Sequence, residues 1–243
     1  MRKILIILCL LIANEVYAQS CIPKPDCADM GYTKTSCSGA YLKCPFDTSK
    51  MACLADENAG LLCLVGMIYY SDGTCDSVVY SNKTPIGVVV KTNELAMSLA
   101  TKSMTWASSY VDVSGVTNYT NSSDAITDYD GKANTLAIVS THTSDTTSNN
   151  AAKYCNSYST AGTSAGDWYL PAMGEIGYIY DSNTTLAATF SSLGLSFPST
   201  NLWSSSEGEG NTAAWAMHSN RGVISHGYKG SVTLASASCL LEI

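Results

Sequence analysis

The first strong pattern along the chain is an almost unbroken apolar run over residues 4–13. Arg2 and Lys3 precede it, and Val16, Tyr17 and Ala18 close it with small residues at the two positions that signal peptidase reads. A positive start, a short apolar centre and a small-residue end make the three-part pattern of a secretory leader. A spanning helix needs about 20 apolar residues, more than this run supplies. Residues 1–18 are therefore expected to be a signal peptide cleaved near Ala18. An uncleaved anchor is the alternative, but no basic stop-transfer flank follows. A lipid on Cys21 is another, but Ala18, Gln19 and Ser20 lack the usual large aliphatic at the first position.

Residues 19–65 hold few long apolar runs, and such a stretch cannot bury enough surface to fold unaided. Beyond it the pattern becomes β-like. Residues 64–70 and 78–80 are β-prone runs with a Ser71, Asp72, Gly73 turn signal between them, which predicts a hairpin. Residues 86–90 are largely β-branched, with Pro85 at the start, where its missing N–H is tolerated. Residues 94–100 read as a further strand. Residues 108–130 are polar and read as a long loop closed by Asp130 and Gly131.

Helical spacing follows. Residues 145–159 place Ala151, Ala152, Cys155 and Tyr158 on one face, with Ser148 or Asn149 as cap and Gly162 as stop. A second helix is predicted after Pro171. It carries Met173, Ile176, Ile179 and Tyr180 on one side, and Glu175 in its first turns, where negative charge is favoured. Residues 190–195 read as a short continuation. The tail returns to β character at 202–206, 213–217, 222–225 and 236–243, with a tight turn at Asn220, Arg221 and Gly222. Strands, two helices and more strands describe an α+β domain.

Cysteine usage agrees with export. The chain has 10 Cys, and Cys9 leaves with the leader, so an odd number remains. Seven of these, Cys21, Cys27, Cys37, Cys44, Cys53, Cys63 and Cys75, crowd into one stretch. Such density in an exported segment is a disulfide framework of undetermined connectivity, and restricting the unfolded chain is how it adds stability. Zinc would want tight Cys-x-x-Cys pairs, and these spacings are wider. One thiol is left to be free or to join another chain. The net charge of −7 becomes one unit more negative without the leader, and no basic cluster is present. Nucleic acid and anionic membranes are therefore unsuitable partners. No later segment is long and apolar enough to cross a bilayer.

Two stretches carry a resemblance. Gly166, Asp167, Trp168, Tyr169, Leu170, Pro171, then Glu175 and Ile176, form one. Leu202, Trp203, Ser204, Ser205, Ser206, Glu207, then Ala214 and Trp215, form the other. Together they resemble the paired tryptophan signatures of the DUF1566 family, also called the Lcl C-terminal domain. The start of that domain is matched by residues 71–73 and 84–89, so the resemblance covers about residues 66–243. It implies a C-type-lectin-like fold related to the formylglycine-generating-enzyme fold, with a role in adhesion or ligand binding. It also implies that Cys155, on the first helix, and Cys239, in the last strand, lie side by side. Bridging them closes a loop worth roughly 4–5 kcal/mol in the chain-entropy model. Trp168, Leu170, Trp203 and Trp215 read as core, since large aromatics supply much of a domain's buried area. Glu175 and Glu207 read as carboxylates that hold loop N–H groups or cap a helix, with ligand contact as the alternative.

Enzyme chemistry finds little footing. His142 and His218 sit amid polar residues and read as solvated, and no nucleophile elbow, His-Glu-x-x-His helix or phosphate loop appears. The reactive cysteine pair of the formylglycine-generating enzymes has no counterpart, because no Cys lies between Cys155 and Cys239. Glu175 and Glu207 would suit glycoside hydrolysis only at a fitting separation. Trp203 is followed by serines, not by the Asn-Asp of calcium-dependent lectins, so a lectin-type calcium site at the usual position is not expected, while calcium elsewhere stays open; no metal ligand and no cofactor is assigned. The expected function is recognition, without catalysis, of an extracellular protein or glycan. The candidate contacts are Glu207, Asn211, Trp215, His218, Asn220, Arg221, His226 and Tyr228. An ordinary exposed hairpin, or a structural surface component cross-linked through the odd cysteine, is the alternative.

Overall fold

The computed structural model describes residues 62–231 and 235–243, residue 49, and the backbone of two short strands before them. Those strands, β1 (Tyr41–Lys43) and β2 (Met51–Cys53), pair antiparallel with Tyr41 opposite Cys53. The expected leader and Cys21, Cys27, Cys37 and Cys44 lie outside the described residues.

The main body is α+β. Its ten strands are β3 (Ile68–Tyr70), β4 (Cys75–Asp76), β5 (Pro85–Lys91), β6 (Leu95–Ser103), β7 (Asn118–Tyr119), β8 (Trp168–Tyr169), β9 (Asn201–Gly208), β10 (Ala213–His218), β11 (Ile224–Tyr228) and β12 (Ser236–Glu242). They join in one sheet of order β11-β10-β9-β12-β6-β5-β3-β4, with β7 attached to β9 and β8 to β12. Most pairs are antiparallel; β9 runs parallel to β7 and to the start of β12. Strand β12 lies along β6 on one side, and along β8 and β9 on the other.

Alternation of side chains divides the core into two layers. From β9, β10 and β12, Trp203, Ala214, Ala216, Ala237, Cys239 and Leu241 enter one layer with Trp106 and Trp168. Helices α2 (Gly131–Thr141) and α3 (Ala151–Ser157) cover it. From the same strands Leu202, Trp215, Met217 and Leu240 enter the other, under α4 (Met173–Asp181) and α5 (Asn183–Ser192). Strand β5 is buried on both faces, which its Val88, Val89 and Val90 suit. Cys155 of α3 is bridged to Cys239 of β12 across 84 residues, tying one helical layer to the middle of the sheet. Cys63 is bridged to Cys75, and Leu64 and Val65 pack on Met67 and Val89, so the last cysteine before the β region is stitched to it.

Several elements differ from expectation. Residues 78–80 were expected to complete the first hairpin, but β4 pairs there instead, and Val78, Val79 and Tyr80 are exposed. The polar stretch 108–130 contains β7 and the single-turn helix α1 (Ser122–Ala125), which Asn121 caps. The described residues hold five helices, not two. Helix α2 has no apolar stripe: it buries Gly131, Asn134, Thr135 and Ile138 while Leu136 faces solvent. Gly131 is forced by space, since a Cβ there would lie 2.1 Å from the Glu175 carboxylate. Helix α3 starts later than expected and is capped by Asn150, whose side chain accepts from Lys153 N–H at 2.9 Å, not by Ser148 or Asn149. It ends at Ser157; Gly162 serves a later turn with φ +79°, packed on the Ser71 carbonyl. Helix α5 begins at Asn183, seven residues before the predicted continuation.

Candidate functional site

Strands β10 and β11 form an antiparallel hairpin in which Trp215 faces His226 and Ala213 faces Tyr228. Facing residues share one side of the sheet. On that side the hairpin, residues 119–120 and Glu209 wall a groove of about 530 Å³. Trp215 is its floor: its ring is nearly buried and its indole N–H donates to the Tyr119 carbonyl at 3.2 Å. The His226 ring stands edge-on to it at 5.2 Å. Tyr228 is 67% exposed and lies beside Tyr110, itself 50% exposed, at 6.3 Å. Thr120, Thr212, Ser231 and Glu209 add hydroxyls and a carboxylate to the rim. Flat apolar faces edged by neutral hydrogen-bonding groups suit a ligand with alternating C–H and hydroxyl surfaces, or a peptide.

The expected contacts do not all meet here. Trp215, His226 and Tyr228 come together, and Asn211 is exposed in the loop between β9 and β10. His218, Asn220 and Arg221 stand at the opposite end of the hairpin, beside residues 198–200. Burial and the charge of Arg221 hold the His218 imidazole below its ordinary range. Glu207 does not line this groove. It is fully buried beneath the hairpin, where its carboxylate meets the equally buried Lys229 ammonium and accepts from Val113 N–H at 3.0 Å. Burial pushes the Glu207 carboxyl up, opposed by the hydrogen bond and charge of Lys229. Tyr119, Tyr110 and Lys229 were missed by sequence reasoning. The two tyrosines lie in or beside a polar loop with no periodicity, and Lys229 is a single lysine in a turn.

This buried pair supports the groove. Lys229 Nζ also donates to the Val111 carbonyl at 2.7 Å and lies 4.7 Å above the Trp106 ring, while the Lys229 carbonyl accepts from Trp106 N–H. The segment from Tyr110 to Val113 is thereby held beside Tyr228. Trp106 and Trp203 donate their indole N–H groups to the carbonyls of Ser204 and Met104, and Trp168 donates its own to the Thr163 hydroxyl, so each of these core indoles is satisfied. Leu170 exchanges hydrogen bonds with the Thr135 hydroxyl, and the Pro171 carbonyl accepts from Ser205 N–H, which joins the two tryptophan stretches. Ser206 links Asp128 to Met173 N–H, and Asp128 also accepts from Asn134.

A second cavity of about 590 Å³ opens where Glu175, Tyr169, Tyr178, Tyr129 and Lys91 converge. Glu175 accepts from Ala172 N–H at 2.7 Å, closing the first turn of α4, and from the Tyr169 hydroxyl at 2.9 Å. Burial pushes its carboxyl up to about 7 against those two hydrogen bonds. Glu175 lines this second cavity and Glu207 lines neither of the two, and their hydrogen-bond partners are different.

His142 is buried, not solvated as expected. Its Nδ1 lies 3.6 Å from Asp145 and 3.4 Å from the Ser109 hydroxyl, and Nε2 has no hydrogen-bond partner among the described residues. Burial holds this imidazole below its ordinary range. A nucleophile relay uses both ring nitrogens, one for the hydroxyl and one for the acid. Here both groups approach the same nitrogen. Among the described residues no group of three or more His, Cys, Asp or Glu is placed to hold a metal, and no helix is long and apolar enough to cross a membrane. No protein-family model, curated protein or solved structure matches this chain.

Proposed function

We propose that this chain is an extracytoplasmic binding module. In this reading residues 66–243 form a C-type-lectin-like domain of the DUF1566 or Lcl C-terminal kind that recognises a protein or glycan without catalysis. The observation that carries it is the groove of Trp215, His226 and Tyr228 on the paired β10–β11 hairpin, an aromatic surface where Tyr228 and the neighbouring Tyr110 are left in solvent. Exposed aromatics beside a preformed concavity lose little conformational freedom on binding, which is why recognition surfaces favour them. Two disulfides in the described residues fit an oxidising compartment.

The test is a glycan and extracellular-protein array probed with the full chain and with Tyr228→Ala. Tyr228 is exposed at a strand end, so its removal changes stability by under about 0.5 kcal/mol. Hits that weaken tenfold or more in the variant support the groove. An array without signal at micromolar protein, or hits indifferent to Tyr228, refutes it.

A second reading has its own support. With Cys63, Cys75, Cys155 and Cys239 paired, the cysteines left after leader removal are Cys21, Cys27, Cys37, Cys44 and Cys53, an odd set. A structural component cross-linked through one of these gives ladders on non-reducing electrophoresis that reductant abolishes. A monomer band under those conditions removes this reading.

A further inference from the structure

Lys229 and Glu207 place a primary amine and a carboxyl in direct contact, with both side chains fully shielded from water. We propose that the two condense into an intramolecular amide, a covalent clamp across the base of the β10–β11 hairpin. The proposal stands apart from the function assigned to the groove.

Three features of the surroundings favour the reaction. First, a charge pair without water is unstable relative to its neutral form unless many hydrogen bonds satisfy it. Here the amine has one further acceptor, the Val111 carbonyl, and otherwise faces the Trp106 ring. Passing a proton from Nζ to the carboxylate leaves a neutral amine against a neutral acid, and burial of Glu207 favours its protonated form. Second, the reactants are fixed. Holding two groups in contact is worth an effective molarity on the order of 10⁵–10⁸ M, which moves both rate and equilibrium toward the amide. Third, the Val113 N–H donates to Oε2 at 3.0 Å, while the amine meets Oε1. The two carboxyl oxygens are thus distinguished before reaction begins.

The bonds balance without any added reagent. The Nζ lone pair attacks Cδ of Glu207, and negative charge develops on Oε2, where the Val113 N–H stabilises it. Oε1 then leaves as water, carrying the acid proton and one proton from nitrogen. Oε2 remains as the amide carbonyl and keeps its hydrogen bond. Nothing is oxidised or reduced. The product closes a loop between positions 22 apart in sequence, spanning the hairpin that carries Trp215, His226 and Tyr228.

The test is mass spectrometry of the full chain after complete reduction and denaturation, followed by peptide mapping. The expected result is a mass lower by one water, with the fragment holding Lys229 joined to the fragment holding Glu207 and Lys229 inert to amine-labelling reagents. The variant Glu207→Gln provides a second readout. Its carboxamide condenses with loss of ammonia, so its product has the same mass as the wild-type product. Lys229→Met retains the full mass. A wild-type chain at full mass, with Lys229 labelled once unfolded, overturns the proposal and leaves an ion pair in its place. A Glu207→Gln chain that keeps its ammonia counts against it in the same way.

Discussion

Two buried glutamates, each following a tryptophan signature, meet burial in opposite ways. Glu175 at the start of α4 is met by two hydrogen-bond donors, the Ala172 N–H and the Tyr169 hydroxyl, and touches no cation within its hydrogen-bond set. Glu207 at the end of β9 is met by an amine, Lys229, and one N–H. Donors hold a carboxyl in place while leaving it free to take a proton near neutrality. An amine at contact ties the carboxyl to a second side chain. The same residue type therefore becomes a pH-responsive joint in one region and a fixed seam in the other.

The largest break in this comparison comes from Lys229→Met. It leaves Glu207 buried without its partner, and removing one member of such a pair costs about 3–5 kcal/mol. Urea unfolding is expected to register that loss, and the near-ultraviolet signal of Trp106 to change with it. A loss below 1 kcal/mol would mean that Glu207 gains nothing from the amine.

Glu175 gives the next effect, and it is one of pH. Its carboxyl rises from an ordinary 4.5 to about 7 in the folded chain. Between those values the folded chain keeps a proton that the unfolded chain releases. Stability is therefore greatest below the lower value, falls as pH rises through the window, and levels off above about 7. The total fall is roughly 3–4 kcal/mol by the usual conversion of a pKa difference. Glu175→Gln keeps an oxygen for Ala172 N–H and presents an amide to the Tyr169 oxygen, so it is expected to fold and to flatten that slope. Unfolding curves at pH 5 and pH 8 in both proteins decide the matter; equal slopes would remove Glu175 as the source. The smallest effect is Tyr169→Phe, which deletes one donor to the ionised form. It is expected to cost about 1 kcal/mol and to move the midpoint of the pH profile upward.

Much of this framework was legible in the chain. Runs such as Val88 to Val90 and the repeated small and β-branched residues of the tail mark strands, and β5, β6, β9, β10 and β12 lie where the pattern puts them, whereas β11 starts two residues later than expected and ends three later. Pro171 followed by Glu175 marks the start of α4. Helix α2 was hidden because its buried side is Asn134 and Thr135, which bond to Asp128 and Leu170; polarity there signals a satisfied core, not solvent. The groove was half legible for a similar reason. Trp215, His226 and Tyr228 share a face at strand spacing, whereas Tyr110 and Tyr119 reach it from an aperiodic segment. Lys229 carried no local signal at all, because its partner is defined only by the fold.

The placement of β12 has a consequence for how this molecule comes into being. Among the described residues, hydrogen bonding across the sheet passes from β9 to β6 only through residues 236–242. Until that stretch has been made, the strands on either side lack the one that joins them. The sheet therefore closes only after translation has passed those residues, which makes the last strand the step that unites the domain.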